Sequence, residues 1–410
     1  MASTSSSSDN VVNDSVNGSI LSDDLLLNIL FRLGVKYLFR FKCVSRAWNR
    51  LISGAFARTK LSVTMSGLFF HAYVHPYEVQ SKHRYAPFIG GKDGMDTNLG
   101  FLPNELQLRI LDCCNGLLLC NSHSNDELED EAEGEMQHIK YYVCNPATKR
   151  WAALPLPPFK EGYLENATLI FNPRVSPHYK VVRFLDQFDR DPTCLELDVY
   201  SSETGAWVQC NVVHGPEIPS LRNQIQTAFL DGTLFALTYP FHMAGFVIEE
   251  EGSCQLIQMP VATIEERPVE RLGVSEGRLH YAYHDGSQIR IWMRRTGDGA
   301  DAGEWELRHS TTVQALMLNP LFVKDGYDPV ICPFYLPRFP CRFVPLAFHP
   351  DAGIVFLTIQ GKILAYHLKS KRLKEICDIS YECVYLHWLW VYPFAPCLLD
   401  FFGGEAPQIS

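Results

Sequence analysis

The sequence predicts a mainly β chain with a small N-terminal α-helical module, the β part being a β-propeller of six blades closed by strands from both ends. Three observations predict it. Helical periodicity is confined to one stretch near the start, "LSDDLLLNILFRLGVKYLFRFKCVSRAWNRLIS". Beyond Thr59, β-branched and aromatic runs alternate with Gly, Pro, Asn and Asp punctuation. Hairpins of one kind then recur at the spacing of a four-stranded unit, with hairpins of a second kind between them.

In the helical stretch, apolar residues fall at 21, 25, 26, 29, 30 and 33, a broad helical stripe. Ser22 is placed to cap the first helix, Asp23 and Asp24 oppose the positive end of its dipole, and Leu21 can staple against Leu26. Gly34 supplies the stop. A second element over Lys36 to Val44 presents Leu38, Phe41 and Val44. A third, after Ser45, presents Trp48, Leu51, Ile52 and Ala55 on one face. About thirty-five residues cannot bury so many large groups within themselves. Some of them must face another protein or the following domain.

The outer hairpins are "YYVCNPATKRWAALP", "LDVYSSETGAWVQC", "GFVIEEEGSCQLIQMP", "IRIWMRRTGDGADAGEWELRHS" and "KILAYHLKSKRLKEI". Taking Trp151, Trp207, Leu256, Trp305 and Leu373 as equivalent, the separations are 56, 49, 49 and 68 residues. A propeller blade with loop insertions has a period near ~40–50. Inner hairpins alternate with these in strict order: "CNGLLLC", "ATLIFNPRVSPHYKVVRF", "TAFLDGTLFALTY", "RLGVSEGRLHYAYHD" and "VPLAFHPDAGIVFLTI". Each pair makes one blade, which gives five. "SGLFFHAYV" before them and "VYLHWLWVYPF" after them supply strands for a sixth, and a ring closed in this way has no exposed edge between its ends.

Composition narrows the function classes. The chain has 410 residues, 47% of them hydrophobic and 12% aromatic, enough for a sizeable core and two or three domains. Its net charge is −10, and "NDELEDEAEGE" (Asn125 to Glu135) holds seven of the carboxylates, leaving −3 for the rest. Nucleic acid is therefore not an expected partner, since affinity for it comes from neutralising phosphates. No apolar run approaches the ~20 residues that cross a bilayer, so no membrane partner is expected either. The first nineteen residues lack the basic and apolar regions of a signal peptide and read as a disordered tail. Thirteen cysteines without such a signal fit reduced thiols in cytoplasm or nucleus.

Catalytic and metal signatures are weak. "GVSEG", Gly273 to Gly277, matches the nucleophile-elbow pattern, but a strand-like "RLHYAYHDG" follows where a helix is needed, so Ser-Glu-Gly reads as a hairpin turn. The glycines of "GDGADAG" miss the dinucleotide spacing. Cys113, Cys114, Cys120 and Cys144 lack metal-ligand spacing, and His280 and His349 have no carboxylate or serine fixed beside them. The recurrent tryptophans read as inter-blade packing, and the acidic run as a solvated loop or as an arm that attracts a basic substrate. No catalytic residue, metal or cofactor is expected.

The helical stretch closely resembles the F-box, the module that docks substrate receptors onto the Skp-type adaptor of cullin-RING (SCF) ubiquitin ligases. "FKCVSRAW", Phe41 to Trp48, matches that pattern in full, while Ser22 and Gly34 stand where it usually has proline. The β part resembles the F-box-associated domain of plant F-box proteins through "CNGLLLC", "VCNPATKRWAALP", "YKVVRF", "VYSSETGAW" and "LAFHP". The resemblance implies a non-catalytic adaptor that holds a target protein near the charged ubiquitin-conjugating enzyme. It implies docking by Leu21, Ser22, Leu25, Leu26, Ile29, Leu30, Leu33, Leu38, Phe41, Cys43, Val44 and Trp48. The implied layout is a tail over 1–19, the F-box over 20–58, the propeller over 60–400 with its acidic insert at 125–138, and a flexible tail over 401–410. A scaffold that delivers nothing for degradation and an enzyme of propeller fold are the rival readings.

Overall fold

The fold is that of a computed structural model, which describes residues 22–30, 35–53, 65–72, 83–88, 96–103, 107–123, 139–158, 167–185, 194–213, 226–238, 242–248, 254–261, 269–297, 303–319, 344–359, 361–379, 389–397 and 402. The acidic insert lies outside the described residues. So do the first nineteen residues and, apart from Phe402, the last ten. The chain divides into two compact units, Met1–Ser62 and Val63–Ser410.

Among the described residues the first unit holds three short helices, α1 (Asp23–Leu30), α2 (Val35–Lys42) and α3 (Arg46–Ser53). The second unit is a ring of six antiparallel sheets. Blade 1 is β1 (Gly67–Ala72), β2 (Arg84–Pro87) and, from the far end of the chain, β23 (Leu389–Phe394). Blade 2 is β3 (Gln107–Cys114), β4 (Leu117–His123), β5 (Lys140–Asn145) and β6 (Arg150–Ala153). Blade 3 is β7 (Ala167–Phe171), β8 (Tyr179–Phe184), β9 (Cys194–Ser201) and β10 (Ala206–Val213). Blade 4 is β11 (Thr227–Leu230), β12 (Thr233–Thr238), β13 (His242–Val247) and β14 (Cys254–Gln258). Blade 5 is β15 (Val269–Ser275), β16 (Arg278–His284), β17 (Gln288–Arg294) and β18 (Trp305–Thr312), followed by a short helix, α4 (Val313–Met317). Blade 6 is β19 (Val344–Phe348), β20 (Ile354–Ile359), β21 (Lys362–His367) and β22 (Arg372–Asp378).

Closure follows the expected route. β1 pairs antiparallel with β23, from Gly67 opposite Phe394 to Ala72 opposite Leu389. β23 is the inner strand of its blade and touches β19 on one side and β3 on the other. The two strands expected from "SGLFFHAYV" and "VYLHWLWVYPF" thus share one sheet. β2 and α4 were not anticipated.

Every blade is covered on both faces, so strands such as β20 are buried along their whole length. The core is accordingly split into six apolar clusters, one at each blade junction. Phe69 and Phe394 of blade 1, for example, pack with Ile110, Leu118 and Cys144 of blade 2.

The turns explain the repeat. Three inner hairpins close through two residues, Asn115-Gly116, Asp231-Gly232 and Glu276-Gly277, all with positive φ. That is the two-residue turn whose twist matches the strands. At Gly116 there is a second reason for glycine. A Cβ there would lie 2.5 Å from the Cys397 nitrogen and 2.6 Å from the Ala395 oxygen. After β23 the chain crosses blade 2 at this turn, the Asn145 amide donates to the Cys397 carbonyl at 2.9 Å, and the Arg150 guanidinium donates to that of Phe402 at 3.1 Å. Phe402 packs against the cluster between blades 2 and 3. An apolar ring that reaches an apolar cluster is held there.

Polar side chains latch the inner strands to one another. The Tyr392 hydroxyl donates to the Ile110 carbonyl at 2.9 Å. Thr168 donates to Asp112 at 2.6 Å, and Thr227 donates to Thr168 at 2.8 Å. Gln226 donates to the Glu270 carbonyl at 3.0 Å and accepts from the Leu272 amide at 3.2 Å. Arg271 donates to the Pro345 carbonyl at 3.3 Å. Burial lowers Arg271 to about 10 and raises the Asp112 carboxyl above its ordinary range, against three hydrogen bonds that favour its charged form.

Candidate functional site

The helical module presents the candidate surface. The Ser22 hydroxyl accepts from the Leu25 amide at 3.4 Å, and that of Ser45 accepts from the Trp48 amide at 3.1 Å, so α1 and α3 both begin on a serine cap. Both α1 and α2 touch α3. Leu30 and Ile52 are buried at 2% and 0% exposure. Phe41 and Trp48 join α2 to α3 with ring centroids 5.3 Å apart.

Several large apolar side chains nevertheless remain outside. Leu25, Ile29 and Val44 are 53%, 49% and 61% exposed, and Cys43 is exposed as well. Leu26, Phe41 and Trp48 are half-buried, and Ser22 is exposed. Leu25 and Ile29 stand one turn apart on α1, as residues of one helix face must. Fully burying such a side chain is worth roughly 1.5–3 kcal/mol, so covering this set gives a firm complex.

Of the docking residues expected from sequence, Leu21 and Leu33 lie outside the described residues, and Leu38 falls within α2 with its side chain outside them. Leu30 is placed with the buried residues, because a three-helix module needs some large side chains for its own interior. Tyr37 was missed. It is 52% exposed and stands four residues before Phe41, a spacing that marks one helix face.

Residues weighed for chemistry in the propeller are engaged in structure. The Ser275 hydroxyl donates to the carbonyls of His349 at 2.6 Å and Ala352 at 3.2 Å, tying blade 5 to blade 6, and a strand follows its turn. Burial pushes the Cys114 thiol up to about 12 and those of Cys113 and Cys144 well above the ordinary value, so none is a ready thiolate near neutrality. His349 is buried, accepts from the Asp351 amide at 3.1 Å and stacks on Phe356. His280 is buried against Phe348. Among the described residues no group of three or more His, Cys, Asp or Glu is arranged to hold a metal ion. The tryptophans are peripheral latches. Trp207 donates to the Pro155 carbonyl at 2.8 Å and packs on Tyr141 of blade 2, and Trp305 donates to the Gln258 carbonyl of blade 4 at 3.1 Å.

A capped three-helix module ahead of a six-bladed propeller defines a class: F-box proteins with a β-propeller. The F-box domain family matches residues 19–55, and the family described as F-box protein At3g26010-like, beta-propeller matches residues 99–383. The chain belongs to that family. It is similar to F-box protein At5g07610 of Arabidopsis thaliana, 25% identical over 392 residues that span 87% of this chain and 86% of the relative. F-box protein At5g49610 of the same plant is 24% identical over 420 residues, 94% of this chain and 99% of the relative. F-box protein At3g26010, also from Arabidopsis thaliana, is 24% identical over 376 residues, 86% of this chain and 78% of the relative.

Proposed function

We propose that this chain is the substrate-recognition subunit of an SCF (Skp-cullin-F-box) ubiquitin-protein ligase, acting in cytoplasm or nucleus. The F-box docks on the Skp-type adaptor, and through it on the cullin-RING assembly. The propeller holds a target protein. The chain itself performs no bond-making step; it raises the effective concentration of an acceptor lysine near the charged ubiquitin-conjugating enzyme.

The observation that carries this reading is the apolar set left outside the module that matches the F-box, namely Leu25, Ile29, Tyr37 and Val44. A helical unit gains nothing by exposing four large apolar side chains, and a covering partner supplies the reason. Leu25→Asp with Ile29→Asp should abolish capture by a Skp-type adaptor while the circular dichroism of the chain is unchanged, because a carboxylate in an apolar interface costs several kcal/mol. Full capture by the double variant would rule out docking through this face.

A further inference from the structure

The outer turn of blade 6, residues 368–371, is rich in positive charge. Lys369 and Lys371 lie in it and Arg372 follows it, all three exposed. Among the described residues none of the three side chains has a hydrogen-bond or ion-pair partner. The neighbouring cations of the same hairpin are engaged: Lys362 pairs with Glu375 at 3.1 Å, and Lys374 donates to the Phe88 carbonyl at 3.4 Å and lies over the Phe88 ring.

The repeat shows that turn chemistry does not demand these cations. Blades 2, 3 and 6 share a four-residue outer turn whose last residue is left-handed: Lys149 at φ 57, Gly205 at φ 69 and Lys371 at φ 54. Blade 3 builds it with Gly205 and Ala206, glycine taking that conformation without the steric cost a lysine bears. Blade 2 has Lys149-Arg150, and its arginine clamps the Phe402 carbonyl. Blade 6 has Lys371-Arg372 with no such clamp among the described residues. Strained residues that structure does not require point to function.

Three cations within four residues, with no ion-pair partner among the described residues, form a local reversal of sign on a chain of net charge −10. The chain's own acidic stretch, Asn125 to Glu135, joins β4 to β5 and so starts from the ends of the strands opposite the outer turns. Glu276 and Asp351 stand on the inner turns of blades 5 and 6, at the same end of the strands as the outer turns, and the Leu368 amide of the outer turn donates to the Gly353 carbonyl of the inner one.

We propose that this turn is a docking point for an acidic segment of a partner protein, whose carboxylates or phosphates pair with Lys369, Lys371 and Arg372. Arg372 supplies a planar fork for an oxyanion pair and the lysines supply point charges. Nucleic acid is disfavoured, since three cations neutralise only a few phosphates of a long chain. The identity of the segment as part of a ubiquitination target rests on the substrate-receptor reading; its chemistry does not.

The test is fluorescence anisotropy of the full chain with a labelled oligo-glutamate peptide and with a phosphoserine peptide of equal length, at about 0.01 M and about 0.15 M salt, where the Debye length is about 30 and about 8 Å. In the variant, Lys371→Gly and Arg372→Ala copy Gly205 and Ala206 of blade 3, and Lys369→Ala removes the third charge. We expect at least one peptide to bind, with affinity falling as salt rises, and the variant to bind about tenfold more weakly at low salt with a melting temperature no lower than that of the wild type. Which peptide binds separates carboxylate from phosphate. Equal binding by the variant overturns the proposal, as does no binding of either peptide by the wild type. Tighter binding of a single-stranded oligonucleotide of equal charge overturns it in favour of nucleic acid. Should the triple variant unfold, Lys369→Glu alone gives the same comparison. Adaptor capture measured on the same samples stays constant if only this proposal fails.

Discussion

Leu30 is 2% exposed and Leu25, on the same helix, is 53% exposed. Aspartate at these two positions therefore separates folding from docking. Leu30→Asp should melt the helical module, since a buried carboxylate without a partner costs several kcal/mol, whereas Leu25→Asp should leave helicity unchanged. Circular dichroism and limited proteolysis at the module read the difference. His71 gives a second residue-scale test. Burial, then the charges of Arg109 and His83, lower it to about 3 from its ordinary 6.5. The stability that its neutral form contributes is complete above pH 6.5 and is lost as pH falls toward 3. The loss is about 1.4 kcal/mol per pH unit for this one group. His71→Phe keeps an aromatic ring beside Trp390 and Tyr392 and should flatten the fall in melting temperature over that window. At this scale the sequence showed which face of α1 was apolar but not how that face is divided. The split between Leu25 and Leu30 depends on where α3 lies, which periodicity does not encode.

Hairpins were the most legible elements, because each carries its own signal. The apolar strands of "CNGLLLC" and "FLDGTLF" flank dipeptides that demand a tight turn, and both appear as two-residue hairpins. β2 and α4 were not legible for the opposite reason. β2 is four residues ending in Pro87, acceptable only at a sheet edge, and α4 is five residues long. Neither has enough length to show a period, and both are held by what they pack on. The segment after β23 is of the same kind, since its partners Gly116, Asn145 and Arg150 lie far back in the chain. Gly116→Ala tests it. The added methyl meets backbone at a φ of 86°, so we expect a loss of about 2 kcal/mol or more, seen as a fall of several degrees in the melting temperature. The same change at Gly232, where a Cβ would meet nothing within 4 Å, should cost only the left-handed strain.

For the ring as a whole, the spacing of the outer hairpins and the pairing of both ends were readable in the sequence, while the polar latches between inner strands were not. Asp112, Thr168 and Thr227 come from three different blades, and only closure brings them together. Ending the chain at Ile379 removes β23 and opens the junctions of blade 1 with blades 2 and 6. Unpaired edges and bare inter-blade faces should make that variant insoluble or protease-sensitive from blade 1 to blade 6. A protected fragment spanning blades 2 to 6 would instead indicate repeats that stand independently. The central claim, that the module couples the propeller to a ubiquitin ligase, is tested most directly by assembly. The purified chain is mixed with a Skp-type adaptor, a cullin and its RING subunit, and the mass of the eluting complex is measured. The account predicts one complex containing all four chains, lost with Leu25→Asp and Ile29→Asp. Elution of the chain apart from an intact adaptor-cullin-RING complex would contradict it.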